Sequence, residues 1–296
     1  MIETAQRKWR GLTNFDIKVI GIIMMFIDHV HEMFEPVVPG WVDWIGRPVA
    51  VIFMFISVEG FIHTHDRLRY MMRLLIGFWI MNIGTAIVQH FFSIGDFALL
   101  NNIFGTLFLG VFTMYGISFI EDGIKQHSGV QIAKGIGIIL IPIVWSVVQM
   151  SLFAALPKLV SVLFIFPSVT MAEGGVLLYV APLLYLLRKK RSWQMIGISA
   201  VAVAIFLMDP SHAFTTNTEW MLVFSIVILS MYNGQKGKSM RNFFYVFYPV
   251  HIWLFLISVA LLFSCFYIRL EVRRIRIRCQ PSLTVETINC LHVFFA

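Results

Sequence analysis

Charge is scarce in this sequence. Asp, Glu, Lys and Arg together make up 13% of its 296 residues, about half the share of a soluble domain. That shortage excludes a soluble enzyme and a disordered chain. Cysteine is nearly absent too. Cys265, Cys279 and Cys290 all fall in the last 32 residues without a metal-type pairing, which excludes a disulfide scaffold and a structural zinc site. Several catalytic signatures are missing. There is no G-x-S-x-G and no Walker A. His31-Glu32-Met33-Phe34-Glu35 begins like the zinc-protease H-E-x-x-H but ends in Glu35, so the second zinc-binding histidine is lacking. No metal is expected.

Apolar residues fill the space that charge leaves. They make up 58% of the chain, and the mean hydropathy is +0.81. Apolar runs fall near residues 17–34, 48–63, 72–94, 101–120, 132–154, 159–187, 193–209, 219–232 and 243–268. Many approach the roughly 18 residues that cross a bilayer as a helix. The expected class is therefore all-α: a polytopic integral membrane protein with about 9–10 transmembrane helices. The first run is followed by polar Asp28, His29, His31 and Glu32 instead of a cleavage pattern, so it reads as a retained helix. The run 159–187 is interrupted by Pro167 and Glu173-Gly174-Gly175. It is either one broken helix or two short segments.

The net charge of +7 does not indicate nucleic acid, because the Lys and Arg residues sit in short clusters between spans. Sixteen of them fall in the N-terminal tail, at the start of the first span and in alternate loops, while the opposite loops hold only Arg47 and Lys158. The positive-inside bias then places the N-terminus in the cytoplasm. This alternation needs 159–187 to count as one crossing or as a re-entrant pair. The chain divides into a cytoplasmic tail (1–12), a transmembrane domain (13–268) and a basic tail (269–296), where the composition shifts abruptly.

Ionisable groups inside a membrane are costly and mark function by default. Thr13 and Asp16 have capping-box spacing ahead of the first span. On that helix Asp28, His31, Glu32 and Glu35 share a face, and His29 stands above Lys18, three turns and roughly 16 Å along. A cation at the cytoplasmic mouth and a histidine near mid-membrane thus look out on one side. The alternative is that Asp28 and His29 merely tie helices together. Arg47 is expected to pair with Asp28, Glu32 or Glu35. Glu59 must be paired, protonated or facing water, with Arg73 or Lys18 as structural partners. His251 follows the aromatic run from Phe243 to Tyr248 and is expected just inside the cytoplasmic boundary, with Pro249 in an early turn.

Lys18-Val19-Ile20 through Met25-Phe26-Ile27-Asp28-His29, then Gly46-Arg47-Pro48, Val58-Glu59-Gly60-Phe61 and Tyr70-Met71-Met72-Arg73-Leu74-Leu75, resemble the TraX family. Glu173-Gly174-Gly175 and Tyr248-Pro249-Val250-His251 are also similar to its later segments. The resemblance covers roughly residues 13–265. That family is known for acetylating the N-terminus of conjugative pilin, and it resembles the wider transmembrane acyltransferase-3 group. The wider group carries a basic residue and a histidine on its first helix at the spacing of Lys18 and His29, although its basic residue is usually arginine. The resemblance implies acetyl-CoA as co-substrate, its phosphates held by Lys18 with Arg69 or Arg73. His29 would be the general base, with Asp28, Glu59 and His251 as further catalytic candidates. The acceptor would be pilin or a surface glycan. Two rival readings remain: a proton-coupled transporter using Asp28, Glu59 and His29 as a relay, and a non-catalytic assembly factor for a pilus or surface polymer.

Overall fold

A computed structural model describes residues 11–34, 37–92, 102–155, 165–171, 175–239 and 241–278. Among these residues the chain is entirely helical, apart from one isolated bridge between Leu12 and Tyr232. The long helices are α1 (Asn14–Met33), α2 (Asp43–His63), α3 (Arg67–Phe91), α4 (Ile103–Lys125) and α5 (Gly129–Ala155). After them come the short α6 (Val180–Leu186), then α7 (Arg191–Met208), the short α8 (Ser225–Ser230) and α9 (Arg241–Arg278). Among the described residues, six helices are long and apolar enough to span a membrane. α1 has the length, 20 residues or about 30 Å, but carries Asp16, Lys18, Asp28 and Glu32. The polytopic helical expectation agrees with this architecture.

Local sequence explains the helix starts. Thr13 and Asp16 close the expected capping box, the Asp16 carboxylate accepting from the Thr13 N–H at 2.9 Å. Asp66 caps α3 by accepting from the Arg69 N–H at 2.8 Å. Both are side-chain substitutes for the carbonyls that a helix N-terminus lacks.

Glycines set the closest approaches. A Cβ on Gly116 of α4 would lie 2.9 Å from the Gly135 carbonyl of α5, and one on Gly135 would lie 2.6 Å from the Gly116 carbonyl. The α4–α5 hairpin therefore packs backbone to backbone, as small residues allow in a membrane. The remaining face of α5, with Leu140, Val144 and Val147, is exposed and suits lipid.

The N-terminal strap fixes relative sides. Leu12 N–H donates to the Met231 carbonyl at 2.8 Å, and Asn233 N–H returns to the Leu12 carbonyl at 2.9 Å. Residues 11–15 thus lie beside the 231–237 loop. Glu121 at the end of α4 pairs with Arg188, and Glu59 near the end of α2 pairs with Arg191. The basic loops therefore collect on one side of the bundle. On the other side the starts of α2 and of the Thr218–Phe224 turn meet through Arg47 and Glu219.

The 159–187 run is only partly described. Short 3-10 turns at Val169–Met171 and Gly175–Tyr179 lead into α6, while Glu173 and Gly174 lie outside the described residues. At the other end α9 continues as helix to Arg278, across the boundary expected at residue 268.

Candidate functional site

Two cavities enter the bundle from opposite ends. The one on the basic side has a volume of about 470 Å³ and is lined by Lys18, Glu59, His63, Arg73, Lys236 and a wall of apolar and aromatic residues. The other, of about 410 Å³, is lined by Asp28, His29, His31, Glu32, Asp43, Arg47 and Glu219. Met25, Phe53, Ile103 and Tyr248 line both.

His29 lines the second cavity. It is buried, and its Nδ1 lies 2.8 Å from Nε2 of buried His251. His251 Nδ1 lies 2.7 Å from the Phe247 carbonyl oxygen. A carbonyl can only accept, so in the neutral pair Nδ1 of His251 carries the proton and its Nε2 is an acceptor. His29 must then donate from Nδ1, which leaves its Nε2 as the lone-pair nitrogen. The tautomers are assigned from this network. The rings also stack, with centroids 5.0 Å apart. Tyr248 packs edge-on against both of them.

The position of His251 corrects the sequence expectation. The residue is not at the cytoplasmic boundary but beside His29, in the interior of the bundle. The helix begins at Arg241, so His251 is ten residues in, about 15 Å along its axis. Pro249 sits inside α9, in its third turn.

Asp28 reaches the same cavity where α1 crosses α2. Its carboxyl group occupies the space that a side chain on Gly46 would need, so only glycine permits this crossing. Arg47 bridges Asp43 and Glu219, and Thr218 donates to the other oxygen of Asp43 at 3.0 Å. The expected partners of Arg47 were Asp28, Glu32 or Glu35. Asp28 is close enough to act on Arg47 electrostatically, Glu32 lines the same cavity, and Glu35 lies outside the described residues. Asp43 and Glu219 were missed from sequence. Both stand at helix starts, where acidic residues are unremarkable.

Glu59 is not part of the histidine centre. It lies twelve residues along α2 from Arg47, about 18 Å away by helical rise, in the cavity on the basic side. There Arg191 approaches it at 3.5 Å and the Tyr232 hydroxyl donates to it at 3.3 Å. Neither of its expected partners, Arg73 or Lys18, makes these contacts, although both line the same cavity. Lys18 Nζ stands 5.3 Å from the Phe244 ring centroid. Arg69 is elsewhere: its side chain is 71% exposed and pairs with Asp66. Among the described residues no group of three or more His, Cys, Asp or Glu side chains is arranged to hold a metal ion.

The architecture and site define a class: a polytopic helical membrane protein with two opposed cavities, one basic and one acid-rich, and a buried histidine pair beside the acid-rich one. Residues 15–259 match the family described as TraX protein, and the chain belongs to that family. No curated protein and no solved structure gave a match.

Proposed function

We propose that this chain is a membrane acetyltransferase acting in a conjugation-related role, moving an acetyl group from cytoplasmic acetyl-CoA to an acceptor amine. The observation that carries the reading is the His29–His251 pair, whose hydrogen bonds leave the lone pair of cavity-lining His29 on Nε2. The basic cavity suits the donor. Lys18 and Arg73 supply cations for CoA phosphates, and Lys18 stands three turns from His29 on one helix.

The chemistry balances without a further reactant. The acceptor enters as an ammonium and gives one proton to a carboxylate of the outer cavity, which passes it to water; as the neutral amine its nitrogen then attacks the thioester carbonyl carbon. A C–N bond forms, the C–S bond breaks, and CoA leaves as thiolate. His29 Nε2 takes the proton that the nitrogen loses and returns it to the thiolate or to water. His251 holds the His29 ring in the tautomer that presents Nε2. Asp28, Glu32, Asp43 and Glu219 outnumber the one arginine in the outer cavity, which favours a cationic amine over a neutral hydroxyl as the group that enters. A pilin N-terminus meets that chemistry, and so does an amino group on a surface polymer.

Acetyl-CoA labelled in the acetyl group, offered to the purified protein in detergent, tests the reading. Saturable binding that weakens in Lys18→Ala, together with label transfer to a primary-amine peptide, is the expected outcome. Absence of any CoA binding, with solute flux in vesicles, would instead favour a proton-coupled carrier.

A further inference from the structure

Met25, Phe53, Ile103 and Tyr248 line both cavities and so form the collar between them. Three of the four are buried, Met25 at 5%, Ile103 at 8% and Tyr248 at 4% exposure. Two are tied to each other, since the Ile103 N–H donates to the Tyr248 hydroxyl at 3.1 Å. The Tyr248 ring is also braced edge-on by Phe104, with centroids 5.3 Å apart. One half of the collar is therefore tied together by a hydrogen bond and a ring contact. The other half, Met25 and Phe53, consists of side chains contributed by α1 and α2.

The walls differ on the two sides of this collar. The basic cavity behind it is lined by apolar and aromatic residues such as Leu74, Leu107 and Tyr245. Beyond it stand the carboxylates of the outer cavity and Arg47. Resting on the acetyltransferase reading, we propose that Met25 and Phe53 are specificity-determining residues that limit the length of the acyl chain transferred.

The nucleotide end of an acyl-CoA is bulky and anionic, so it stays with Lys18 and Arg73. The acyl group is then the leading end and reaches the collar, where an amine entering from the His29 side meets it. An acetyl group ends there. Each added methylene has to be pressed against the collar or moved among ionised groups, forfeiting an apolar contact worth on the order of a fourfold change in the rate constant. Shortening Met25 or Phe53 opens apolar room at the collar, where the two extra methylenes of a butyryl group are accepted on the order of tenfold better relative to acetyl.

The test is the release of free CoA by the purified full chain from acetyl-, propionyl-, butyryl- and hexanoyl-CoA, with a primary-amine peptide present as acceptor, compared as kcat/KM. The wild type is expected to fall by about fourfold per methylene. Met25→Ala is expected to raise the butyryl-to-acetyl ratio by about tenfold. Phe53→Leu, which keeps an apolar side chain and guards against a folding defect in the first variant, should move the ratio the same way. Leu140→Ala on the lipid-facing side of α5 should leave it unchanged. A wild type that consumes hexanoyl- and acetyl-CoA equally well overturns the proposal. So do collar variants that both retain the wild-type ratio. Failure of the wild type to consume any of the four thioesters is a different result: it removes the acetyltransferase reading, and the length limit with it.

Discussion

His29 Nδ1 lies 2.8 Å from His251 Nε2, although 222 residues separate them. The contact joins the first long helix to the last and gives the two rings unequal roles. His251 is committed through Nδ1 to the Phe247 carbonyl, so it acts on its partner as an acceptor. His29 is left with its lone pair on Nε2. In the acetyltransferase reading His29 is the base, and His251 is the positioning residue that fixes its orientation.

Substitutions should reproduce that order. His29→Ala is expected to lower turnover by about 10²–10⁴-fold, the range of general-base catalysis. His251→Ala should cost less, on the order of 10–100-fold, as for partners that orient a functional histidine. The double variant should be no slower than His29→Ala alone, because the two act as a unit. A pH profile of kcat/KM that shifts in His251→Gln separates positioning from a packing role.

Gly46→Ala tests the α1–α2 crossing. The new methyl group would occupy the place of the Asp28 carboxyl, and overpacking of this kind costs about 1–3 kcal/mol. Thermal unfolding in detergent should show the loss. Adding Asp28→Ala to the same chain should recover most of it, a coupling that a double-mutant cycle reads directly.

Much of this arrangement was legible in the sequence, for reasons that particular residues make plain. Among the described residues, six of the nine apolar runs coincide with helices long and apolar enough to span, because a membrane helix must satisfy its backbone internally and face lipid with apolar side chains. Thr13 and Asp16 gave the start of α1 because a capping box is local. His29 and Asp28 stood out because ionisable groups are rare at mid-span. The partners of these groups were not legible. Glu219 meets Arg47 across 172 residues, and no local pattern encodes such a contact. His251 was misplaced because aromatic residues from Phe243 onward resemble an interface belt, whereas the helix already begins at Arg241.

The Arg47 bridge should matter for stability. Arg47→Ala leaves the carboxylates of Asp43 and Glu219 without their shared cation. The side chains are 27%, 20% and 39% exposed for Arg47, Asp43 and Glu219, so solvent screens part of the interaction. A loss of about 1.5–3 kcal/mol is expected. Arg47→Lys should recover only part, since an ammonium lacks the planar fork that reaches both carboxylates. Unfolding midpoints of the two variants check this.

Donor binding should depend on the basic cavity. Lys18→Ala and Arg73→Ala are each expected to weaken acetyl-CoA by about tenfold, in line with one charge-assisted contact to a phosphate. Both effects should shrink as salt is raised. Arg69→Ala, on an exposed residue paired with Asp66, should bind as the wild type does. Equilibrium binding of radiolabelled acetyl-CoA at two salt concentrations distinguishes the three.

The most direct test of the account is the release of free CoA from acetyl-CoA in the presence of a primary-amine peptide, measured for the wild type and His29→Ala purified side by side. The account predicts amine-dependent release by the wild type, acetylated peptide in equal amount, and a loss of at least about 100-fold in the variant. Equal release by both proteins would contradict it, as would a wild type that binds acetyl-CoA yet never acetylates an amine.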